Sequence, residues 1–101
     1  MTFDPTEEIE DEKALTLIRR AASARNLIYG RHVKQRMSER NFTIQDILYI
    51  LQNGRLRGKE YKAEYENWVY SIRGQDLEGE EGRVVTAILS EYSIQIITVT
   101  S

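Results

Sequence analysis

No cysteine occurs in the 101 residues. That excludes disulfide staples and thiolate metal sites. With His32 as the sole histidine, the usual Cys/His ligand set of a structural zinc site is missing too, and no metal or other cofactor is expected. Proline is down to Pro5, and no repeat, low-complexity segment or internal linker interrupts the chain. Apolar runs are short. "VVTAIL" (84–89) is among the longest, far below the ~20 residues of a membrane-spanning helix. The acidic start "MTFDPTEEIEDEK" lacks the basic and apolar regions of a signal peptide, so a cytoplasmic protein with no membrane partner is expected. The length suits one domain, 1–101, and leaves no room for a second core.

Charge is balanced in total but not in position. The net charge is −2, yet six acids precede the first base, Lys13. Residues 13–62 then hold 12 bases against three acids, a local excess of +9, and 64–81 turns acidic again. A basic middle between acidic flanks is the pattern of an electrostatic footprint for a polyanion, or of a mixed surface whose signs blur on folding.

Asp4-Pro5 has the form of an N-cap followed by proline at the first helical position, and Ala14, Leu17, Ile18, Ala21 and Ala22 follow helical spacing. This predicts a helix over 5–25, acidic at its start and basic at its end. "NLIYG" (26–30) predicts a short extended piece or turn. A second helix over 31–40 uses Val33 and Met37 as its apolar pair and stops at Asn41, a residue that tolerates left-handed backbone. In "NFTIQDILYILQNG", Thr43 and Asp46 form a capping box, Phe42 and Ile47 a hydrophobic staple, and Ile44, Ile47, Leu48 and Leu51 a buried stripe ending at Gly54. From residue 55 the period falls from 3.6 to 2. Four strands are predicted, 55–64, 67–74, 83–90 and 93–100, joined as consecutive hairpins with the last two central. The expected class is α+β, with N-terminal helices on one face of a roughly four-stranded antiparallel sheet.

Chemistry concentrates in "RHVKQRMSERN" (31–41). His32, Arg36 and Arg40 lie at i, i+4 and i+8, close to one helix face, with Arg31 beside them. Histidine is the natural proton shuttle near neutral pH, and two arginines can hold a phosphate and stabilise a charged transition state. Alone this spacing is weak, because a solvated basic helix with a structural histidine produces it as well. "RLRGKEYKAEY" (55–65), if extended, turns Arg55, Arg57, Lys59 and Tyr61 to one side, a basic stripe with an aromatic suited to track a backbone and stack a base. A solvated edge strand protected by positive charge gives the same pattern. Tyr70 alternates with Trp68 and Ile72, so it is either core with a bonded hydroxyl or a stacking and proton-handling group. "GQDLEGEEG" (74–82) is glycine-rich but acidic and lies between strands, so it is not a nucleotide loop.

"HVKQRMSERNFTIQDILYILQNG" followed by strands resembles a family of small bacterial domains of unknown function that carry His-x3-Arg-Met-x2-Arg and then a helix ending in glycine. "YSIRGQDLEGE", "RVVTAIL" and "IQIITVT" are similar to their hairpin and closing Thr-Val strand, and the likeness covers about 28–100. His32, Arg36, Met37 and Arg40 match that motif residue by residue, whereas Asn41 stands where the family usually has glycine. The resemblance implies a RelE/MqsR-like fold, also compared with barnase, over a core of 26–101. It implies the toxin of a toxin–antitoxin pair, cleaving RNA without metal and held by a zinc-finger antitoxin of the YgiT or MqsA kind. In that setting His32, Arg36, Arg40 and Tyr70 are the candidate catalytic residues, and Arg31, Arg55, Arg57, Lys59 and Tyr61 the candidate RNA-binding ones. The acidic N-terminal helix lies outside the likeness, and from its charge it is expected to mimic RNA and cover the basic face. A non-catalytic RNA- or protein-binding module of the same fold is the alternative.

Overall fold

The computed structural model describes residues 3–100; residues 1, 2 and 101 of the expected 1–101 domain lie outside them. Three helices and five strands follow in the order α1 (Asp11–Ser23), β1 (Leu27–Tyr29), α2 (Val33–Arg40), α3 (Ile44–Asn53), β2 (Arg55–Lys62), β3 (Asn67–Gln75), β4 (Glu81–Ile88) and β5 (Ile94–Thr100). The expected α+β class, with helices on one face of the sheet, is what the chain adopts. The sheet is larger by one strand and mixed, in the order β1-β5-β4-β3-β2. The three consecutive hairpin pairings are antiparallel, while β1 lies parallel to β5, Leu27 opposite Ile94 and Tyr29 opposite Ile96. The first of the two options for "NLIYG", a short extended piece, is what forms; three residues are too few to show alternation, so the sequence left extended and turn side by side.

Helix α1 begins at Asp11 and not near residue 5. Asp4 accepts from the Thr6 N–H (2.9 Å) and hydroxyl (2.6 Å), closing a side-chain turn instead of capping a helix. Residues 5–9 then spend their backbone groups on the sheet. The Trp68 N–H donates to the Pro5 carbonyl (3.1 Å), the Trp68 indole to the Thr6 carbonyl (3.0 Å), and the Ile9 N–H to the Tyr70 hydroxyl (3.0 Å). Asparagine, aspartate and serine serve caps and turns by the same bond, so local sequence alone could not separate the two.

Both α1 and α2 close with a left-handed residue. Arg25 (φ 57°) and Asn41 (φ 57°) each follow a helix, and the next N–H reaches back across the turn, Asn26 to Ala21 (2.9 Å) and Phe42 to Met37 (2.9 Å). Helix α3 carries the expected capping box: the Asp46 N–H donates to the Thr43 hydroxyl (3.1 Å) and the Thr43 N–H to the Asp46 carboxylate (2.9 Å). Its buried residues include Ile47, Leu48, Ile50 and Leu51, whereas Ile44, placed by spacing in the stripe, is exposed. Phe42 fills the adjoining space, its ring 2.6 Å from where a Cβ on Gly82 would stand. Gly54 ends α3 in extended conformation (φ −80°), so its need is close approach and not a left-handed turn. A Cβ there would meet the Ile50 and Arg73 carbonyl oxygens at 2.6 and 2.7 Å.

The core lies between helices and sheet. Ile18, Ile47, Ile50, Leu51, Tyr70, Ile72, Val84, Ile94, Ile96 and Val99 are fully buried there, and Val33 and Met37 dock α2 on it. Burying such side chains is worth about 1.5–3 kcal/mol each in transfer free energy. No helix of the described residues is long and apolar enough to cross a membrane.

Candidate functional site

The sheet has a covered face and an open one. Alternation puts Trp68, Tyr70 and Ile72 of β3 and Val84, Thr86 and Ile88 of β4 under the helices. The opposite parity faces away from them. There Val69, Val85 and Ala87, with Ile97 against them, form a small separate apolar cluster. Polar and charged residues surround it.

On this open face lies a cavity of about 370 Å³. Helix α2 contributes His32, its N-cap, and Arg36 one turn on. Strand β2 and its turn contribute Glu60, Lys62, Glu64 and Tyr65. The floor is made by Val69, Ser71, Arg83, Val85, Ile97 and Thr98. A second cavity of about 380 Å³ adjoins it, adding Arg57, Gly58, Lys59 and Arg73 while sharing Glu60, Val69, Ser71 and Arg83. The two are therefore compartments of one continuous surface. Lys62 pairs with Glu60 (3.2 Å), Arg73 with Glu81 (3.4 Å) and Arg36 loosely with Glu39 (4.0 Å). Arg83 donates from Nε to the Thr100 hydroxyl (3.3 Å). Among the described residues Arg57 and Arg83 form no ion pair.

The expected site residues divide. His32 and Arg36 come together in the first cavity, with Arg57 and Lys59 in the second. Arg31, in the turn before α2, and Arg40, in its last turn, are exposed but line neither cavity. Eight residues of helix carry Arg40 about 12 Å along the axis from His32, so only the first two members of the i, i+4, i+8 series share the cavity. The stripe from Arg55 to Tyr61 does not turn to one side. A bulge at Arg57 shifts the register between Leu56 and Gly58, which moves Lys59 opposite Tyr70 and Tyr61 opposite Trp68, toward the helices. Arg55, opposite Arg73, stays on the open side, and Arg57, at the edge bulge, lines both the second cavity and a smaller one with Asp11 and Leu56. The Lys59 ammonium binds Asp11 (2.7 Å), Glu8 (2.9 Å) and the Ile9 carbonyl (3.2 Å), and these carboxylates hold its pKa well above the ordinary lysine value. Tyr61 meets Trp68 edge-on, with ring centroids 6.1 Å apart.

Tyr70 lies on the covered face, separated from the His32 cavity by the sheet itself. It is 1% exposed, and burial raises its phenol pKa, with the Ile9 hydrogen bond acting the other way. The bonded-core alternative describes its placement. The acidic N-terminal segment likewise runs along the covered side, on Trp68, Tyr70 and Lys59. It does not cover the open basic face, because its carboxylates find Lys59 and its backbone finds Trp68. Against it lies a cavity of about 630 Å³, lined by Phe3, Ile9 and Leu17, by five carboxylates including Glu7 and Glu10, and by the two bases Lys13 and Arg20.

Glu60, Glu64, Tyr65, Ser71, Arg73, Arg83 and Thr98 join the site without having been singled out by sequence. One signal was available. Val69, Ser71 and Arg73 share a parity opposite to the core residues Trp68 and Ile72, and a hairpin across the 74–82 turn sets Arg83 against Arg73. Among the described residues no group of three or more His, Cys, Asp or Glu is placed to hold a metal ion.

Fold and site together define a small α+β domain whose helices cover one side of a mixed sheet and whose other side presents a histidine and several cations around a shallow apolar floor. Residues 29–101 match the family described as a domain of unknown function (DUF4258), and the chain belongs to that family. The match begins in β1 and leaves α1 and the segment before it outside. No curated protein and no solved structure matches the chain.

Proposed function

We propose that this protein is the toxin of a bacterial toxin–antitoxin pair and acts as a metal-independent endoribonuclease. The observation that carries the reading is the convergence of His32 and Arg36 with Arg83 and two carboxylates, Glu60 and Glu64, around one solvent-open cavity. Metal-free RNA cleavage needs a base for the ribose 2′-hydroxyl, an acid for the departing 5′-oxygen and cations for the charge on phosphorus. In this reading the 2′-oxygen loses its proton to one group, attacks phosphorus, and the P–O5′ bond breaks as the second group protonates the leaving oxygen. His32 takes one proton-transfer role and a cavity carboxylate the other. Arg36 and Arg83 neutralise the phosphate, and Tyr65, half-exposed at the rim, offers a ring for stacking. Tyr70, Lys59 and Tyr61 have no part in it. The His-x3-Arg-Met-x2-Arg resemblance supports the toxin role, a cytoplasmic setting and a zinc-finger antitoxin as partner.

Purified protein incubated with labelled single-stranded RNA in the presence of EDTA tests the reading. Wild type should cut and His32→Ala should not, while both show the same thermal unfolding. Folded wild type as inactive as the variant would overturn it.

One observation favours the non-catalytic alternative. Among the described residues no hydrogen bond orients the His32 imidazole. Catalytic histidines are commonly fixed in one tautomer by a partner. RNA binding that weakens steeply with salt but never leads to cleavage would favour that module.

A further inference from the structure

Arg55, Arg73 and Arg83 stand directly opposite one another across three neighbouring strands, Arg55 paired with Arg73 and Arg73 with Arg83. Like charges in register are destabilising in a sheet. Relief within the protein is slight: Glu81 pairs with Arg73 at 3.4 Å, and both side chains are well exposed. The β2 bulge then adds Arg57 to the same face. Nothing stands within 4 Å of the position a Cβ on Gly58 would take, so the space beside Arg57 is open. Arg57, Arg73 and Arg83 thus line one cavity, with Arg55 in register beside Arg73; Glu81 is the one carboxylate paired with them, and Glu60 on the same wall is paired with Lys62, so the row is incomplete as a charge system without an external anion.

We propose that this arginine row is a binding site for backbone phosphates of a single-stranded nucleic acid, so that the ligand is an oligonucleotide and not a mononucleotide. This rests on the nuclease reading only in that the same strand would continue into the adjoining His32 cavity, across the shared wall of Ser71 and Arg83. Arginine forks bind phosphate oxygens bidentately, and backbone contacts fix register without selecting sequence.

Binding is measured by fluorescence anisotropy with two uncleavable probes, a labelled 2′-O-methyl uridine 10-mer and a labelled thymidine DNA 10-mer, with uridine monophosphate as competitor. Wild type should bind both within a few-fold of each other, and the monophosphate should compete about a hundredfold less well than unlabelled 10-mer. In an Arg57→Gln/Arg83→Gln double variant, the slope of log affinity on log salt should shrink by about 1.4, roughly 0.7 per phosphate contact on a single strand. Affinity in low salt should fall about tenfold or more. The variant's Tm should equal or exceed that of wild type, because cations in mutual repulsion are removed. An unchanged slope overturns the proposal, and so does equal competition by the monophosphate. A Tm lowered by many degrees overturns it too, since the arginines would then be structural. Neither probe carries a free 2′-hydroxyl, so cleavage does not enter. Protein that binds in this way but cuts no RNA refutes the nuclease and leaves the site standing.

Discussion

Replacing Asp46 with alanine should cost this protein about 3 kcal/mol. The carboxylate is 6% exposed and accepts three hydrogen bonds: from the Thr43 N–H (2.9 Å), the Thr43 hydroxyl (3.0 Å) and, across the molecule, the Leu77 N–H (3.1 Å). Loss of a capping interaction costs about 1 kcal/mol, and a bond to a charged acceptor about 1.5–3 kcal/mol, part of which water recovers at the two helix-start donors. Against a total of about 5–15 kcal/mol, that should lower Tm by more than ~10 °C. Asp46→Asn keeps one acceptor oxygen and the shape, and should cost about 1–2 kcal/mol. Desolvation acts to raise the Asp46 carboxyl, but the bonds from Thr43 and Leu77 outweigh it and hold the pKa below the ordinary carboxylate value. The sign follows. The charge contributes stability in full above the unfolded pKa, near ~3.9, and that contribution is lost as pH falls through the depressed folded value. Urea unfolding followed by the fluorescence of Trp68, the single tryptophan, should give a wild-type advantage over Asp46→Asn that is constant from about pH 5 to pH 8 and shrinks below pH ~4. An advantage that persists undiminished down to pH 2.5, or an alanine variant within about 0.5 kcal/mol of wild type, refutes the reasoning.

Tyr70→Phe removes the acceptor of the Ile9 N–H and should lower stability by about 1 kcal/mol in the same titration, while leaving RNA binding and cleavage at wild-type levels; a loss of cleavage in a folded protein would put the hydroxyl in the chemistry after all. Gly54→Ala must push a methyl group against two carbonyl oxygens, so a loss of about 2–3 kcal/mol is expected, and a neutral result by thermal melting would contradict the close approach of α3 and β3. Asn41→Gly should raise stability by up to about 1 kcal/mol, because the left-handed backbone there carries a penalty for any side chain; a drop in Tm would show that the asparagine side chain is needed.

What the sequence disclosed was whatever is decided within a few residues. Thr43 and Asp46 cap one another three apart, Asn41 stops a helix by its own backbone tolerance, and the strand parities around Trp68 and Ile72 follow from alternation. Features that depend on a distant partner stayed hidden. The bulge at Arg57 exists only relative to β3, and one added residue sends Lys59 and Tyr61 to the side opposite to that given by simple counting. β1 is a strand only because β5 lies beside it. Asp4-Pro5 has two local uses, and Trp68 and Tyr70, more than sixty residues away, decide between them. The candidate site was half visible for the same reason. His32 and Arg36 are neighbours on one turn, but Glu60, Ser71 and Arg83 reach them only through the folded sheet.

The parallel pairing of β1 with β5 also sets the order in which the molecule can be assembled. β5 sits between β1 and β4 and supplies Ile94, Ile96 and Val99 to the core, so it is interior in space although it follows every other element in the chain. While the polypeptide is being made, β1 waits some 67 residues for its partner β5, and β4 keeps an unpaired edge. Hairpins and helices can form during synthesis, but the sheet closes only when β5 has left the ribosome. A nascent chain halted at Ser93 should therefore be protease-sensitive and lack the protected Gly30 amide of the finished protein, which donates to the Ile96 carbonyl of β5, with folding a single late event paced by that long-range closure.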